Sequence, residues 1–154
     1  MPPPVIEEDM PDFFPHLQSW LSALLNDSGA VAGTVHLHEQ GGLRLAAAVN
    51  IPAPVQEVVA WVPSGKGMAG LALERGEPVQ TCNLQEDRSG AVKPGAKAVN
   101  AQGAVAMPVR GSTGGILAVV GVAFRDEREI QGQELEGLQQ RAATLAGLVE
   151  DSSR

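Results

Sequence analysis

Three glycines in the stretch SGKGMAG, residues 64–70, have the spacing of a nucleotide-binding loop. Gly65, Gly67 and Gly70 spell G-x-G-x-x-G, which in dinucleotide-binding proteins lets the backbone approach a pyrophosphate at a helix N-terminus. An apolar run precedes the motif, a helix-like segment follows it, and the acidic residue Asp87 lies about twenty residues downstream. The first question is therefore whether this loop binds a phosphate.

The surroundings of the glycines favour a structural role. Pro63 separates the apolar run from the motif, and the helix that follows is only about two turns long before Gly76 ends it. No further strand–helix–strand unit follows, and no Gly-Lys-Ser/Thr closes the motif as in a Walker A loop. We therefore predict that Gly65 and Gly67 form a tight loop and that Gly70 lets a short helix pack closely on a sheet.

Few other groups could perform chemistry. His36 and His38 lie on one face of a predicted strand, but no third metal ligand is evident and His16 is distant, so a pair with structural partners is favoured. Cys82 is the only cysteine, which excludes an internal disulfide and favours a small buried apolar role. No nucleophile elbow supports Ser-His-Asp catalysis. We expect no bound metal.

Composition and charge narrow the class of protein. The 154 residues are 44% hydrophobic and 3% aromatic, which suits one globular domain with a core of Ala, Val and Leu. The net charge is −7 and the basic residues form no cluster, so we expect no binding to nucleic acid or to a membrane. No signal peptide is visible, and the longest apolar run is too short to span a bilayer. We expect a cytoplasmic, bacterial-type protein.

Hydrophobic periodicity predicts helices at both ends of the chain and antiparallel hairpins between them. The strand at 115–124 is apolar at almost every position, so both of its faces should be buried. This order predicts an α+β fold with an antiparallel sheet instead of alternating βαβ units. The predicted elements are helices at 13–27, 53–62, 68–76 and 130–149, strands at 30–39, 43–51, 78–83, 104–109 and 115–124, and a long connection at 84–103.

Five apolar residues of the last predicted helix repeat at intervals of three and four, in the manner of a heptad. Such a stripe could pack on the sheet of its own chain or form the seam of a dimer, and a helix with two apolar sides could do both. The sequence leaves these interpretations open. The residues are Leu135, Leu138, Ala142, Leu145 and Val149.

Several blocks, in their order and spacing, resemble a GAF domain. They are LRLAAAVNIP at 43–52, VPSGKGMAGLALERGEPVQTCNLQED at 62–87, and the stretch from GAVAMPV to the end of the last helix at 103–149. The resemblance implies a PAS-like α+β fold with a central antiparallel sheet of six strands. It also implies that the N- and C-terminal helices cover one face of the sheet and that a lid and a ligand pocket lie on the other.

The resemblance also implies the domain organisation. A single GAF domain at 13–150 follows a flexible acidic, proline-rich lead at 1–12 and precedes a tail at 151–154. Asn50 and Asn83 depart from the usual pattern, since a small residue and an aspartate are frequent at these positions. No kinase, cyclase, phosphodiesterase or DNA-binding domain is recognisable, so a free-standing GAF protein is expected.

Two branches of the family use cysteine chemistry that this chain lacks. Free methionine-(R)-sulfoxide reductases need a nucleophilic cysteine and a resolving thiol, whereas the only thiol here is Cys82. Covalent bilin attachment uses a Cys-His pair, and Cys82 is followed by Asn83. We therefore expect no enzyme activity and no bilin, haem or other cofactor.

The pocket that the resemblance implies is the remaining candidate site. It should have apolar walls with a few polar anchors, and lysines on its lid would favour an anionic ligand. The predicted pocket residues are Trp61, Met68, Leu71, Cys82, Asn83, Asp87 and Met107, with Lys93 and Lys97 on the lid.

The predicted function is a small-molecule-sensing or signalling module that acts as a dimer or through a signalling partner. The alternative is a GAF fold used only for protein association, with a collapsed pocket; a redox sensor or enzyme that uses Cys82 is less favoured. A cavity of roughly 300 Å³ or more beneath the long connection would favour sensing. A cavity filled by the side chains of Met68, Trp61 and Met107 would favour association.

Overall fold

The computed structural model describes residues 14–81, 102–126 and 130–152. The predicted lead at 1–12 and nearly all of the connection at 84–103 lie outside the described residues. The helices are α1 (Pro15–Ser28), α2 (Ala53–Val58), α3 (Gly67–Arg75), α4 (Gly132–Ala143) and α5 (Leu145–Ser152). The strands are β1 (Ala32–Glu39), β2 (Gly42–Val49), β3 (Trp61–Pro63), β4 (Val79–Thr81), β5 (Ala104–Arg110) and β6 (Ile116–Ala123).

The six strands form one antiparallel sheet in the order β3-β2-β1-β6-β5-β4. This confirms the predicted α+β fold and both predicted hairpins. Turn glycines with positive φ, Gly41 at +83° and Gly114 at +88°, close the two hairpins. The four long strands lie at the centre, and the two edges are strands of three residues, which offer little free edge for further pairing.

One face of the sheet carries the helices from the two ends of the chain. Leu17, Leu21 and Leu24 of α1 are fully or almost fully buried in the same cluster as β5 and β6 side chains. Gly33 of β1 makes the close approach of α1 possible, since a Cβ there would lie 3.0 Å from Leu25 Cδ2. The other face of β6 is covered by the segment between β2 and β4, which explains why this strand is apolar on both sides.

The apolar stripe of the last helix packs on the sheet of its own chain. Leu138, Ala142 and Leu145 are buried in the core beside α1, and Leu135 and Val149 are partly buried against it. These contacts bear out the interpretation that the stripe packs on its own sheet. Dimerisation stays a prediction. With the stripe buried in this way, a dimer interface would have to use other surfaces of the helices. None of the described helices is both long and apolar enough to cross a membrane.

The segment predicted as one helix at 130–149 is helical from Gly132 onward, but it is divided at Thr144 into α4 and α5. The Thr144 hydroxyl donates to the Arg141 carbonyl at 2.6 Å and accepts from Trp20 Nε1 at 3.0 Å. Arg141 also forms an ion pair with Asp27 at 2.6 Å. These contacts connect the residues at the break to α1. The helix after the break, α5, runs to Ser152 and so extends into the predicted tail.

The helix predicted at 53–62 is correct only up to Val58. Residues Trp61–Pro63 instead form β3, which pairs with Gly42–Arg44 of β2. The spacing of Val55, Val58, Val59 and Val62 suggested one helix, yet Val58 is 53% exposed and Val62 is buried in the strand. The β2 segment that pairs with Trp61–Pro63 lies about twenty residues away in the sequence. Periodicity within a short window cannot reveal such a distant partner.

Candidate functional site

The glycine motif forms a turn that begins α3. Gly65 and Gly67 have φ angles of +85° and +66°, which favour glycine strongly. The Gly65 amide donates to the Gly70 carbonyl at 2.8 Å, so the loop itself uses this donor. A Cβ on Gly70 would lie 2.5 Å from the carbonyl oxygen of Pro63. The glycines therefore have the structural role that the sequence predicted.

A cavity of about 140 Å³ lies between the sheet and the insert formed by α2, β3 and α3. Its floor consists of two cross-strand rows of small residues on β1, β6 and β5. The first row is Ala32, Ala123 and Ala104, and the second row is Thr34, Gly121 and Ala106. Side chains of this size do not reach the insert, and the space above them stays open.

The walls of the cavity are apolar. Ile51 precedes α2, and Val55 of α2 and Val59 at its C-cap continue the wall. Val62 of β3 and Met68 of α3 complete it among the described residues. The volume is about half of the roughly 300 Å³ expected at the lower end for a drug-sized ligand. The cavity thus matches a smaller and mainly hydrophobic molecule.

Three polar side chains line the described part of the cavity: Thr34, His36 and Lys66. His36 is only 2% exposed, and its Nε2 lies 2.9 Å from the carbonyl oxygen of Val59. Because a carbonyl can only accept, Nε2 is the donor in this contact. His36 therefore ties the floor strand β1 to the end of α2, whereas Lys66 is exposed at the rim where α3 begins.

The two histidines of β1 lie on one face of the strand, but each contacts a backbone carbonyl. His38 Nδ1 lies 2.8 Å from the carbonyl oxygen of Ile116, at the start of the neighbouring strand β6, whereas His36 contacts the insert. Within residues 14–81, 102–126 and 130–152, no group of three potential metal ligands occurs. The geometry thus gives both rings a structural role.

Of the predicted pocket residues, Met68 lines the cavity and Leu71 packs beside it. Leu71 is partly buried in the cluster between α3 and the sheet, which also includes Met68, but it does not reach the cavity. Cys82, Asn83, Asp87, Lys93 and Lys97 all lie outside the described residues.

Two further predicted pocket residues, Trp61 and Met107, do not line this cavity. Trp61 is 39% exposed on the edge strand, where its ring covers Gly42 and the Arg44 guanidinium lies 5.7 Å from the ring centroid. Met107 is fully buried on the opposite face of the sheet, among the residues under the terminal helices. Successive residues of a strand face opposite sides, so its neighbour Ala106 faces the cavity instead.

Sequence reasoning missed the floor residues, although their signal is present. Two alternate residues in each of three strands are small: Ala32 and Thr34 in β1, Ala104 and Ala106 in β5, and Gly121 and Ala123 in β6. Each pair alone is unremarkable in an Ala- and Gly-rich chain. Only the observed pairing of the strands brings the three pairs together on one face.

Comparisons with known proteins agree with this architecture. A family model described as GAF domain matches residues 7–150. The type II free methionine-R-sulfoxide reductase of Thermoplasma acidophilum is similar in structure, with 18% identity and a TM-score of 0.71 over 88% of this chain and 91% of that chain. No curated protein sequence matches this chain.

Two GAF structures from other kinds of protein are equally similar. The GAF domain of an Acinetobacter phosphoenolpyruvate-protein phosphotransferase has 14% identity and a TM-score of 0.71, over 89% of this chain and 81% of that chain. The GAF domain/HD domain protein of Geobacter sulfurreducens has 13% identity and a TM-score of 0.70, over 88% and 90% of the two chains. At these identities the similarity shows a common fold.

Proposed function

The chain belongs to the GAF family, and on this premise we propose that it is a small-molecule-sensing module that signals as a dimer or through a partner protein. The observation that carries the proposal is the open apolar cavity between the sheet and the insert. Protein interiors are close-packed, and voids larger than a water molecule are few in each domain. Six small residues in two adjacent rows maintain this one.

The position of the cavity supports a sensing role. The strands of its floor also form the surface on which the terminal helices pack: Gly121 faces the cavity, while Val120 and Val122 beside it belong to the core under those helices. On the other side of the cavity, the contact of His36 with Val59 joins α2 to the sheet. A ligand between these layers contacts both, so its binding energy can shift their relative positions.

The alternative of a collapsed pocket is less favoured, because the side chains that would have to fill the cavity do not fill it. Of Met68, Trp61 and Met107, only Met68 reaches the cavity, and the space beside it stays open. Val58 and Trp61, the exposed large hydrophobic residues among those described, offer at most a small apolar contact to a protein partner, because single exposed apolar side chains are normal at a protein surface. Such a contact is compatible with sensing and can serve the partner.

We also propose that the chain is not a methionine sulfoxide reductase, in spite of its structural similarity to that enzyme. That chemistry needs an attacking thiolate and a second thiol to resolve the oxidised sulfur, and the chain has one cysteine. An assay with free methionine-(R)-sulfoxide and excess dithiothreitol tests Cys82 as the attacking thiol, because dithiothreitol can replace the missing second thiol. We expect no turnover above that of the Cys82→Ser variant, and turnover that depends on Cys82 would refute the proposal.

Native mass spectrometry of gently purified protein tests the sensing proposal. Wild-type protein should retain a small molecule, and Gly121→Val should lose it because the added methyl groups project onto the floor, where even a Cβ meets Thr34 Oγ1 at 3.0 Å. Gly137→Val is the matched control, since nothing lies within 4 Å of its Cβ position. The same spectrum gives the number of chains in the assembly. A retained molecule that is unaffected by Gly121→Val would contradict the assigned site.

A further inference from the structure

We propose that the ligand is a compact hydrophobic molecule of about five to seven non-hydrogen atoms that ends in an anionic group, most simply a branched short-chain carboxylate. This inference rests on the proposed function, because it names the chemical class that the sensing cavity accepts. It places the hydrocarbon part over the small residues of the floor and the anionic group at Lys66.

The size limit follows from the cavity volume. An apolar protein cavity of about 150 Å³ binds a molecule the size of benzene, and the cavity here has about 140 Å³. A cyclic nucleotide or a tetrapyrrole is several times larger than this space. Because Ala, Gly and Thr form the floor and Val, Ile and Met form the walls, the part of the ligand within the cavity is hydrocarbon.

The sign of the charge follows from the residues at the rim. Lys66 is the only charged side chain among the described lining residues, and no acidic side chain accompanies it there. The acidic residue Glu74 lies at this turn, with its Oε2 2.7 Å from the Cβ position of Gly65, but it is not among the described lining residues. The positive charge of Lys66 at the rim attracts a carboxylate at the mouth and repels an amine placed there.

The backbone at the rim, which is the N-terminal end of α3, carries partial charge of the same sign as Lys66. Lys66 is the N-cap of α3, a helix of nine residues, and its side chain makes no capping hydrogen bond. Gly67, Met68 and Ala69, the first residues of this helix, all line the cavity. The N-terminal end of a helix carries partial positive charge, which adds to the effect of the ammonium group on an anion.

Three probes with one carbon skeleton separate the effects of shape and charge. We would titrate the full chain with 3-methylbutanoate, 3-methylbutanamide and 3-methylbutylamine and follow binding by amide chemical-shift changes in NMR spectra. The carboxylate should bind at least roughly fivefold more tightly than the amine, with the neutral amide between them. Equal or tighter binding of the amine would overturn the assignment of an anionic group.

Two charge variants distinguish Lys66 from the general charge of the protein. Lys66→Gln should weaken binding of the carboxylate by roughly three- to fivefold and leave binding of the amide unchanged. Arg75→Gln removes the same charge from the last turn of α3, about 13 Å away along the helix, and should change neither affinity. Equal effects of the two variants on the carboxylate would refute a direct role of Lys66.

The outcomes also separate this inference from the proposed function. If the carboxylate and the amide bind equally and Gly121→Val abolishes both, the cavity is the ligand site and only the anionic group is wrong. If none of the three probes binds, while native mass spectrometry shows a retained molecule that Gly121→Val removes, the ligand class is wrong and the sensing proposal stands. If the probes bind equally well to wild type and Gly121→Val, both proposals fail.

Discussion

Replacing Gly70 by alanine should destabilise the protein, although alanine is the better helix former. The new Cβ would lie 2.5 Å from the Pro63 carbonyl oxygen and 3.2 Å from the Gly65 nitrogen. Neither neighbour is a flexible side chain: Pro63 belongs to β3 and accepts a hydrogen bond from the Lys66 amide at 3.1 Å. The backbone must therefore separate by about 0.5 Å or more before the contact reaches even the tight distance of 3.0 Å.

The size of the effect follows from opposing contributions. Overpacking of this kind costs about 1–3 kcal/mol, and a weakened hydrogen bond between Lys66 and Pro63 adds about 1 kcal/mol. The helix propensity of alanine offsets about 1 kcal/mol of this. We expect the free energy of unfolding to fall by about 1–3 kcal/mol, because the steric term is larger than the gain in propensity.

Urea denaturation monitored by circular dichroism measures this change, and Gly137→Ala is the matched control. Gly137 is also a helical glycine, but nothing lies within 4 Å of its Cβ position, so alanine there should stabilise by about 0.5–1 kcal/mol. The two substitutions thus have opposite expected signs. A Gly70→Ala variant as stable as wild type, or more stable, would refute the steric account of the motif.

Three further substitutions test other contacts of the site and its supports. His36→Phe keeps a ring but leaves the Val59 carbonyl without its donor, so urea denaturation should show a loss of about 1–3 kcal/mol, and an unchanged midpoint would argue against this contact. Gln80→Ala removes two hydrogen bonds with the Ile130 backbone, at 2.7 and 2.8 Å, and should cost about 1–2 kcal/mol in the same assay. Trp61→Ala should leave the affinity for 3-methylbutanoate within about twofold of wild type, since Trp61 lies outside the cavity, and a larger loss by NMR titration would restore it to the site.

The features that the sequence predicted correctly depend on neighbours in the chain. The hairpins are encoded by extended apolar stretches on either side of turn glycines such as Gly41 and Gly114. The helix at 13–27 is encoded by an apolar side and ends at Gly29, which adopts the left-handed conformation with a φ of +78°. The order of these blocks was specific enough to identify the family.

The errors arise where distant residues decide the structure. Trp61 belongs to a strand because Gly42 leaves space beneath its ring, and the last helix breaks at Thr144 because contacts with α1 support the break. Met107 lies on the face opposite the cavity, and the identity of a residue does not reveal which way a strand alternates. The cavity itself depends on how three strands are aligned with one another, and this register cannot be inferred from the sequence of any single strand.

The central claim is that a compact ligand occupies the cavity between the sheet and the insert, and methyl NMR tests it most directly. With 13C-labelled Ala and Met methyl groups, addition of 3-methylbutanoate should shift the signals of Ala32, Ala106 and Met68, which line the cavity. The signal of Met107, buried on the opposite face of the sheet, should not move. Saturable shifts confined to the cavity methyl groups are the predicted result. Shifts that centre on Met107 would contradict the account, and so would the absence of shifts at every cavity methyl group if native mass spectrometry also shows no molecule that Gly121→Val removes.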